Sequence, residues 1–282
     1  MSTVNRNAVS LGVIVLVFVA GRSPAREDAG AEPVKGDAAA SAGFQDLRPA
    51  FKRFGLDRRA QGDRDTCSVF TMTSAMEYAL ARQGRPGQRL SIEFSNWASN
   101  QVTGQAEDGA CFSDFWRGFE KYGACAEADM PYAAEFDPAL APSPKVLDRA
   151  RPLRDAGLRM HWIKRWDPTK GLTNGQFDGI KQVIGKGWPV SGGFLWHKKG
   201  LERWNDGVLA MVPREKVRDG HSVLLVGFRD DPAQSGGGVF LIRNSSRGPA
   251  NAALSYEYVR TYMNDAVWIE PGRKPRSRFD RN

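Results

Sequence analysis

Between Cys67 and Gln83 the apolar residues Val69, Met72, Met76 and Leu80 recur at steps of three and four, the period of one helix face. Thr66 stands where an N-cap belongs, and Gly84 with Pro86 marks the stop. The same pattern predicts a helix over 113–122, capped by Ser113 and ended by Gly123, with Phe115, Trp116, Phe119 and Tyr122 as its buried stripe. A third helix is predicted over 174–184, where Phe177, Ile180 and Ile184 share a side. Downstream the period changes. Segments 188–194 (WPVSGGF), 221–228 (HSVLLVGF), 238–244 (GVFLIRN) and 266–270 (AVWIE) are short, rich in β-branched residues and bounded by Gly, Pro and Asp, which reads as strands. The stretch RDDPAQSGGG (229–238) then makes a hairpin turn. Helices first and strands later predicts an α+β fold in two lobes.

Composition and charge narrow the function. The chain has 282 residues and a formal charge of +8, but +2 of this lies in residues 1–25 and +4 in 271–282. The body between them carries only +2, too nearly balanced for a nucleic-acid groove. The start, MSTVNRNAVSLGVIVLVFVAGRSPA, places a basic residue before an apolar stretch at 9–20 and then small residues. That is the layout of a secretory signal over 1–25, cut after Ser23-Pro24-Ala25, and the stretch falls short of the ~20 residues a bilayer span needs. Residues 26–42 are small and charged and read as a disordered linker, 43–270 as the folded domain, and 271–282 as a basic disordered tail. An exported monomer with no stable membrane span is expected. Its three cysteines, Cys67, Cys111 and Cys125, are an odd number, the signature of a free reactive thiol in such a protein. Cys111 and Cys125 flank the second predicted helix, which holds them apart and favours two unbridged thiols; Cys111 is placed to line a cleft. No C-x-x-C or H-x-x-x-H pair is present, so neither a metal nor another cofactor is expected.

A cysteine before an apolar helix is ordinarily just core. Partners elsewhere make Cys67 a candidate nucleophile. The predicted helix puts Cys67 in its first turn, where the helix dipole, with a neighbouring imidazolium, is expected to lower the thiol pKa. Of the three histidines, His161 and His197 have no partner pattern and read as surface or core-edge residues. His221, in DGHSVLLVGF, stands at the mouth of an apolar strand and can serve as general base. The next strand ends at Asn244, whose carboxamide could orient the His221 ring. Gln61, six residues before Cys67, could donate to an oxyanion together with the Cys67 backbone N–H.

These residues resemble the papain-like cysteine peptidases, in their simpler bacterial branch. QGDRDTCSVF resembles that family's Q-G-x4-C-x-x-F segment, GHSVLLVGF its Gly-His-Ala-Val motif, and IRNSSRG its Asn-Ser-Trp-Gly motif. LSIEFSNW (90–97), DGACFSDFWRGFEKYGACAEADMPY (108–132), WPVSGGF and the closing SYEYVRTYMNDAVWIE, read as strands, extend the likeness from about residue 60 to 270. The resemblance implies a helical lobe carrying the nucleophile, a β-barrel-like antiparallel lobe carrying His and Asn, and an extended peptide or protein substrate between them. It implies Gln61 as oxyanion donor, Cys67 as nucleophile, His221 as base then acid, and Asn244 as orienting group. Gly109 and Ala110 match the Gly-Gly pair whose backbone holds the substrate, with Ala in place of the second Gly. Ser68 stands where many members carry Trp. The Trp of the Asn-Ser-Trp-Gly motif, which shields the His–Asn contact from water, is absent, so that contact is expected to be wetter and weaker.

The function expected is a cysteine-type peptidase working through a thioester acyl-enzyme. Two alternatives stay open: a catalytically silent relative that binds peptides, favoured by the missing Trp residues, and a thiol acyltransferase, which orders Cys before His but usually adds Asp. Gly192-Gly193 hints at a roomy cleft wall.

Overall fold

A computed structural model describes residues 43–198 and 200–272. Every described residue belongs to one compact unit of the chain. The expected signal peptide and linker lie outside the described residues, as does the expected basic tail except for Pro271, which ends a strand, and Gly272, whose N–H donates to the Gly157 carbonyl.

The first half is helical: α1 (Arg48–Arg53), α2 (Cys67–Arg82), α3 (Ile92–Thr103), α4 (Phe112–Tyr122) and α5 (Pro144–Arg154). A strand, β1 (Phe44–Asp46), precedes them. The second half alternates β2 (Leu158–Lys164), α6 (Asn174–Gly185), β3 (Val190–His197), β4 (Trp204–Asn205), β5 (Val208–Leu209), β6 (Val217–Asp230), β7 (Gly238–Arg243), β8 (Ala253–Ser255), α7 (Tyr256–Tyr262) and β9 (Met263–Pro271). The α+β reading holds, and α2, α4 and α6 lie where periodicity predicts them. Their caps differ. Thr66 makes no side-chain cap to α2, because its hydroxyl bonds Tyr132 instead, and α4 starts one residue early, at Phe112, behind Cys111 rather than Ser113. The segment read as closing strands opens as a helix: Ser255 Oγ accepts from the Tyr258 N–H and Tyr258, Val259 and Tyr262 are buried at helical spacing, so α7 precedes β9.

Strands β2-β9-β3-β6-β7-β8-β5-β4 form one sheet in that order, with β1 added to β6. All pairs are antiparallel except β5 with β8. The sheet is an open path, not a closed barrel, since its end strands β2 and β4 do not pair. The 14-residue β6 is its spine: its first part pairs with β3, its last with β7 on one side and β1 on the other. Two irregularities lie along β3. Phe194 pairs with His221 but Leu195 with Asp219, leaving Gly220 as a bulge; on the other edge Gly193 pairs with Asp265 and Phe194 with Met263, leaving Asn264 as a second. Gly220 has a φ of 111°, which favours glycine.

Helix α2 joins the two halves. Val69, Met72, Met76 and Leu80 are buried in one apolar cluster that continues through Val190, Val223, Leu225 and Val267 of the sheet. A smaller cluster, with Phe94, Ala98 and Cys125, sits under α3, α4 and α5. In the middle of α2, Glu77 is 1% exposed and accepts from Arg59, Arg89 and the Leu90 N–H, so it ties two loops to the helix. Removing one member of such a set leaves charge without its counter-charge. Glu77→Leu should lower unfolding free energy by about 3 kcal/mol, read from the denaturant midpoint at unchanged slope.

Candidate active site

The loop before α2 is fixed before any chemistry is considered. Arg64, 5% exposed, donates to Glu93 Oε2 at 2.6 Å, to Asp108 Oδ1 at 2.8 Å and to the Ala133 carbonyl at 2.9 Å. Its guanidinium also lies 4.5 Å from the centre of the Tyr132 ring. The Tyr132 hydroxyl donates to the Gln61 carbonyl at 2.8 Å, so at 2.7 Å it receives from Thr66 Oγ1. Loop 61–66 is thereby held at both ends and in the middle, and Cys67 enters α2 at a set place. The same arginine anchors Asp108, next to Gly109 and Ala110.

Cys67 is 8% exposed, and its sulfur lies 4.0 Å from the Gly220 carbonyl, with Ser222 also hydrogen-bonded to it through backbone and hydroxyl. Cys67, Gly109, Ala110, Cys111 and His221 line one cleft of about 390 Å³. The expectation that Cys111 faces the cleft is met, and no disulfide joins it to Cys125.

His221 follows the Gly220 bulge in β6, and its Nε2 is 2.9 Å from Asn244 Oδ1. Asn244 follows β7, the neighbour of β6, and is 4% exposed. Its Oδ1 also accepts from the Ser246 N–H at 3.0 Å. A backbone N–H can only donate, so this atom is the oxygen and the His221 nitrogen facing it carries the proton. The neutral ring then has its lone pair on Nδ1.

The contact is not left to water, since Asn244 is buried. Trp196 packs edge-on to His221 with centroids 4.6 Å apart, and Trp204 packs tilted against Trp196 at 6.4 Å. Trp204 and the Asn244 amide nitrogen both border the space beside Gly248. The expected wet contact is corrected: burial of the asparagine and the Trp196 ring enclose it without the Trp of the motif.

Burial also reverses the expected thiol shift. Desolvation pushes the Cys67 pKa up, against opposing hydrogen bonds from Ser222 and Ser68, and pushes the His221 pKa down, against the Asn244 bond. Both shifts act against forming charge on the sulfur and the ring.

Gln61, 7% exposed, does not line the cleft. Its Nε2 donates to the Arg64 carbonyl at 2.6 Å and its Oε1 accepts from Ser245 Oγ at 2.8 Å. The Gly109 N–H donates to Asn96 Oδ1 at 2.9 Å and the Ala110 N–H to Ser68 Oγ at 3.3 Å. The other histidines do not line the cleft: His161 stacks on Trp268 and faces Glu270, while His197, read from the sequence as a surface or core-edge residue, is instead 1% exposed with ring nitrogens against the Leu201 and Ala210 carbonyls. Sequence reasoning passed over Arg64, Tyr132, Trp196, Trp204 and Ser222. Only Ser222 carried a local signal, as a hydroxyl in an otherwise apolar strand.

No protein-family model and no curated protein matches the chain. Solved structures do. Xylellain, a cysteine protease from Xylella fastidiosa, superposes with a TM-score of 0.64 at 21% identity over 83% of this chain and 88% of its own. Digestive procathepsin L 3 from Tenebrio molitor larval midgut gives 0.56 at 17% identity, over 85% and 73%. The cysteine protease and lectin-like domains of Cwp84, a surface layer associated protein of Clostridium difficile, give 0.57 at 19%, over 84% of this chain and 53% of that one. The chain has the fold of the papain-like cysteine proteases. Among the described residues no helix is long and apolar enough to cross a membrane, and no cluster of His, Cys, Asp and Glu could hold a metal.

Burial of the thiol makes its reactivity pH-dependent in a set direction. Alkylation of Cys67 by iodoacetamide should climb through alkaline pH with a midpoint above the ~8.5 of a free thiol. A rate already at plateau at pH 6 would instead reveal a standing thiolate–imidazolium pair.

Proposed function

We propose that this protein is a cysteine peptidase, with Cys67 as nucleophile and His221 as its base. The observation that carries the reading is the His221–Asn244 hydrogen bond, which leaves Nδ1 as the basic nitrogen in the cleft that Cys67 lines. His221 takes the thiol proton as the sulfur adds to a peptide carbonyl, and returns it to the amine as the C–N bond breaks. Water then adds to the thioester, giving its proton to His221, and the carboxylic acid leaves as the thiol re-forms. Asn244 acts as a positioning residue.

For the oxyanion, the Cys67 N–H at the start of α2 is one donor. Gln61, the second donor that the family likeness implies, reaches the same oxygen only by turning its amide from the Arg64 carbonyl toward the cleft. Gly109 and Ala110 have their N–H groups engaged by Asn96 and Ser68, so this pair grips a peptide through its carbonyls. We expect an exported monomer acting on peptides or proteins, the N-terminal signal being the basis for export.

The second reading, a peptide-binding relative without turnover, draws on the burial and raised pKa of Cys67. Fluorogenic peptide hydrolysis by the full chain under reducing conditions separates them. The peptidase reading expects turnover that Cys67→Ala abolishes and His221→Ala lowers by about 10²–10⁴ in kcat/KM. A folded protein that binds these peptides but turns over none of them would leave the binding reading.

A further inference from the structure

Outside the cleft, four arginines converge on a second recess. Arg58 and Arg59 come from the loop before α2, Arg89 from the loop after it, and Arg243 from the end of β7. The space between them is about 30 Å³, room for about two water molecules. Asp57 is the only acid in its wall.

The four are not equally served. Arg59 and Arg89 both pair with Glu77, and Arg59 also with Glu127. Arg58 and Arg243 form no ion pair among the described residues. Arg58 donates to the Asn244 and Ser246 carbonyls, and Arg243 to the Leu56 carbonyl with its guanidinium 4.3 Å from the centre of the Phe51 ring. Burial, then the charge of Arg89, push the Arg243 pKa down to about 10, against the pull of Glu77 and Asp57. A cation is thus held half-buried beside like charge.

The helix adds a second sign of a missing acceptor. Thr71 and Ser74, three residues apart on one face of α2, line the same recess. Thr71 is 4% exposed, yet its hydroxyl has no hydrogen-bond partner among the described residues. Buried hydroxyls are ordinarily paired.

We propose that this recess binds a small inorganic anion, held between the Arg58 and Arg243 guanidinium groups and the Thr71 hydroxyl. An anion supplies the counter-charge that both arginines lack and accepts from all three side chains. A cation would meet like charge, and an apolar group would cover these donors without satisfying them. The volume suits chloride, or the inner oxygens of a phosphate whose others face out past the exposed Arg58. Asn244 and Ser245 form another part of the wall, and no residue lines both recess and cleft. The anion therefore sits behind the asparagine that holds His221 and leaves the cleft open. Its binding does not depend on turnover, so it stands or falls apart from the peptidase reading.

The test is titration of the full chain with sodium phosphate and, separately, sodium chloride, at constant ionic strength kept by gluconate. Binding heat and the thermal unfolding midpoint are followed together. One saturable site should appear, with a midpoint that rises with anion concentration by mass action. Thr71→Val keeps the shape of a side chain whose hydroxyl has no protein partner, and Arg58→Gln changes an exposed position, so both variants should fold. Each should weaken the anion's affinity by about tenfold. Arg243→Met should abolish binding, and where that chain does not fold the other two variants decide. Phosphate binding without chloride assigns the recess to oxyanions, chloride binding assigns it by charge and size, and either upholds the proposal. No saturable binding of either anion overturns it. So does equal affinity in the wild type, Thr71→Val and Arg58→Gln, since the anion would then be bound elsewhere.

Discussion

Arg64 is the residue on which the site depends. A buried guanidinium with two carboxylates is weak evidence for extra stability, because desolvating three charges offsets much of their attraction. Its contribution is geometric. Glu93 belongs to α3, Asp108 to the loop that carries Gly109 and Ala110, and Arg64 itself to the loop that delivers Cys67. One planar, multi-donor group thus sets the nucleophile loop against the substrate loop. A lysine could not span these acceptors at once.

The sheet half solves the complementary problem of placing a histidine opposite that loop. Regular pairing alone would alternate side chains and give no reason for two functional groups to converge. Bulges at Gly220 and Asn264, on the two edges of β3, break the alternation where the cleft runs. The same enclosure acts on the thiol. Burial strips water from the sulfur and raises the Cys67 pKa, against the pull of the helix N-terminus.

What the sequence disclosed tracks how local each cause is. Helices α2, α4 and α6 announce themselves because their apolar stripes are continuous and their stops are glycines or a polar break. His221 and Asn244 were legible because strand, turn and strand are consecutive, so neighbours in sequence become neighbours in space. The caps were misread at Thr66 and Ser113, where side chains have better or other partners than the helix end. SYEYVRTY was read as extended through the likeness of its whole segment to closing strands, although Ser255 and the spacing of Tyr258, Val259 and Tyr262 held the helix signal. Arg64 could not have been found this way, since its partners lie 29 to 69 residues off and nothing in its own surroundings marks it. The thiol shift was missed because dipole and charge can be read from neighbours in the chain, whereas desolvation belongs to the whole fold.

The hairpin that supplies Trp204 has a consequence for how this chain tolerates change. Surface excursions between strands are where proteins usually accept insertions, deletions and nicks. Here the excursion after β3 is strapped at both ends by His197, whose ring spans the Leu201 and Ala210 carbonyls, and it carries Trp204, which packs against the Trp196 ring beside His221. Length variation in this loop is therefore coupled to the packing around the histidine. A segment that would serve as spare surface in most folds here buttresses the ring that lies against His221.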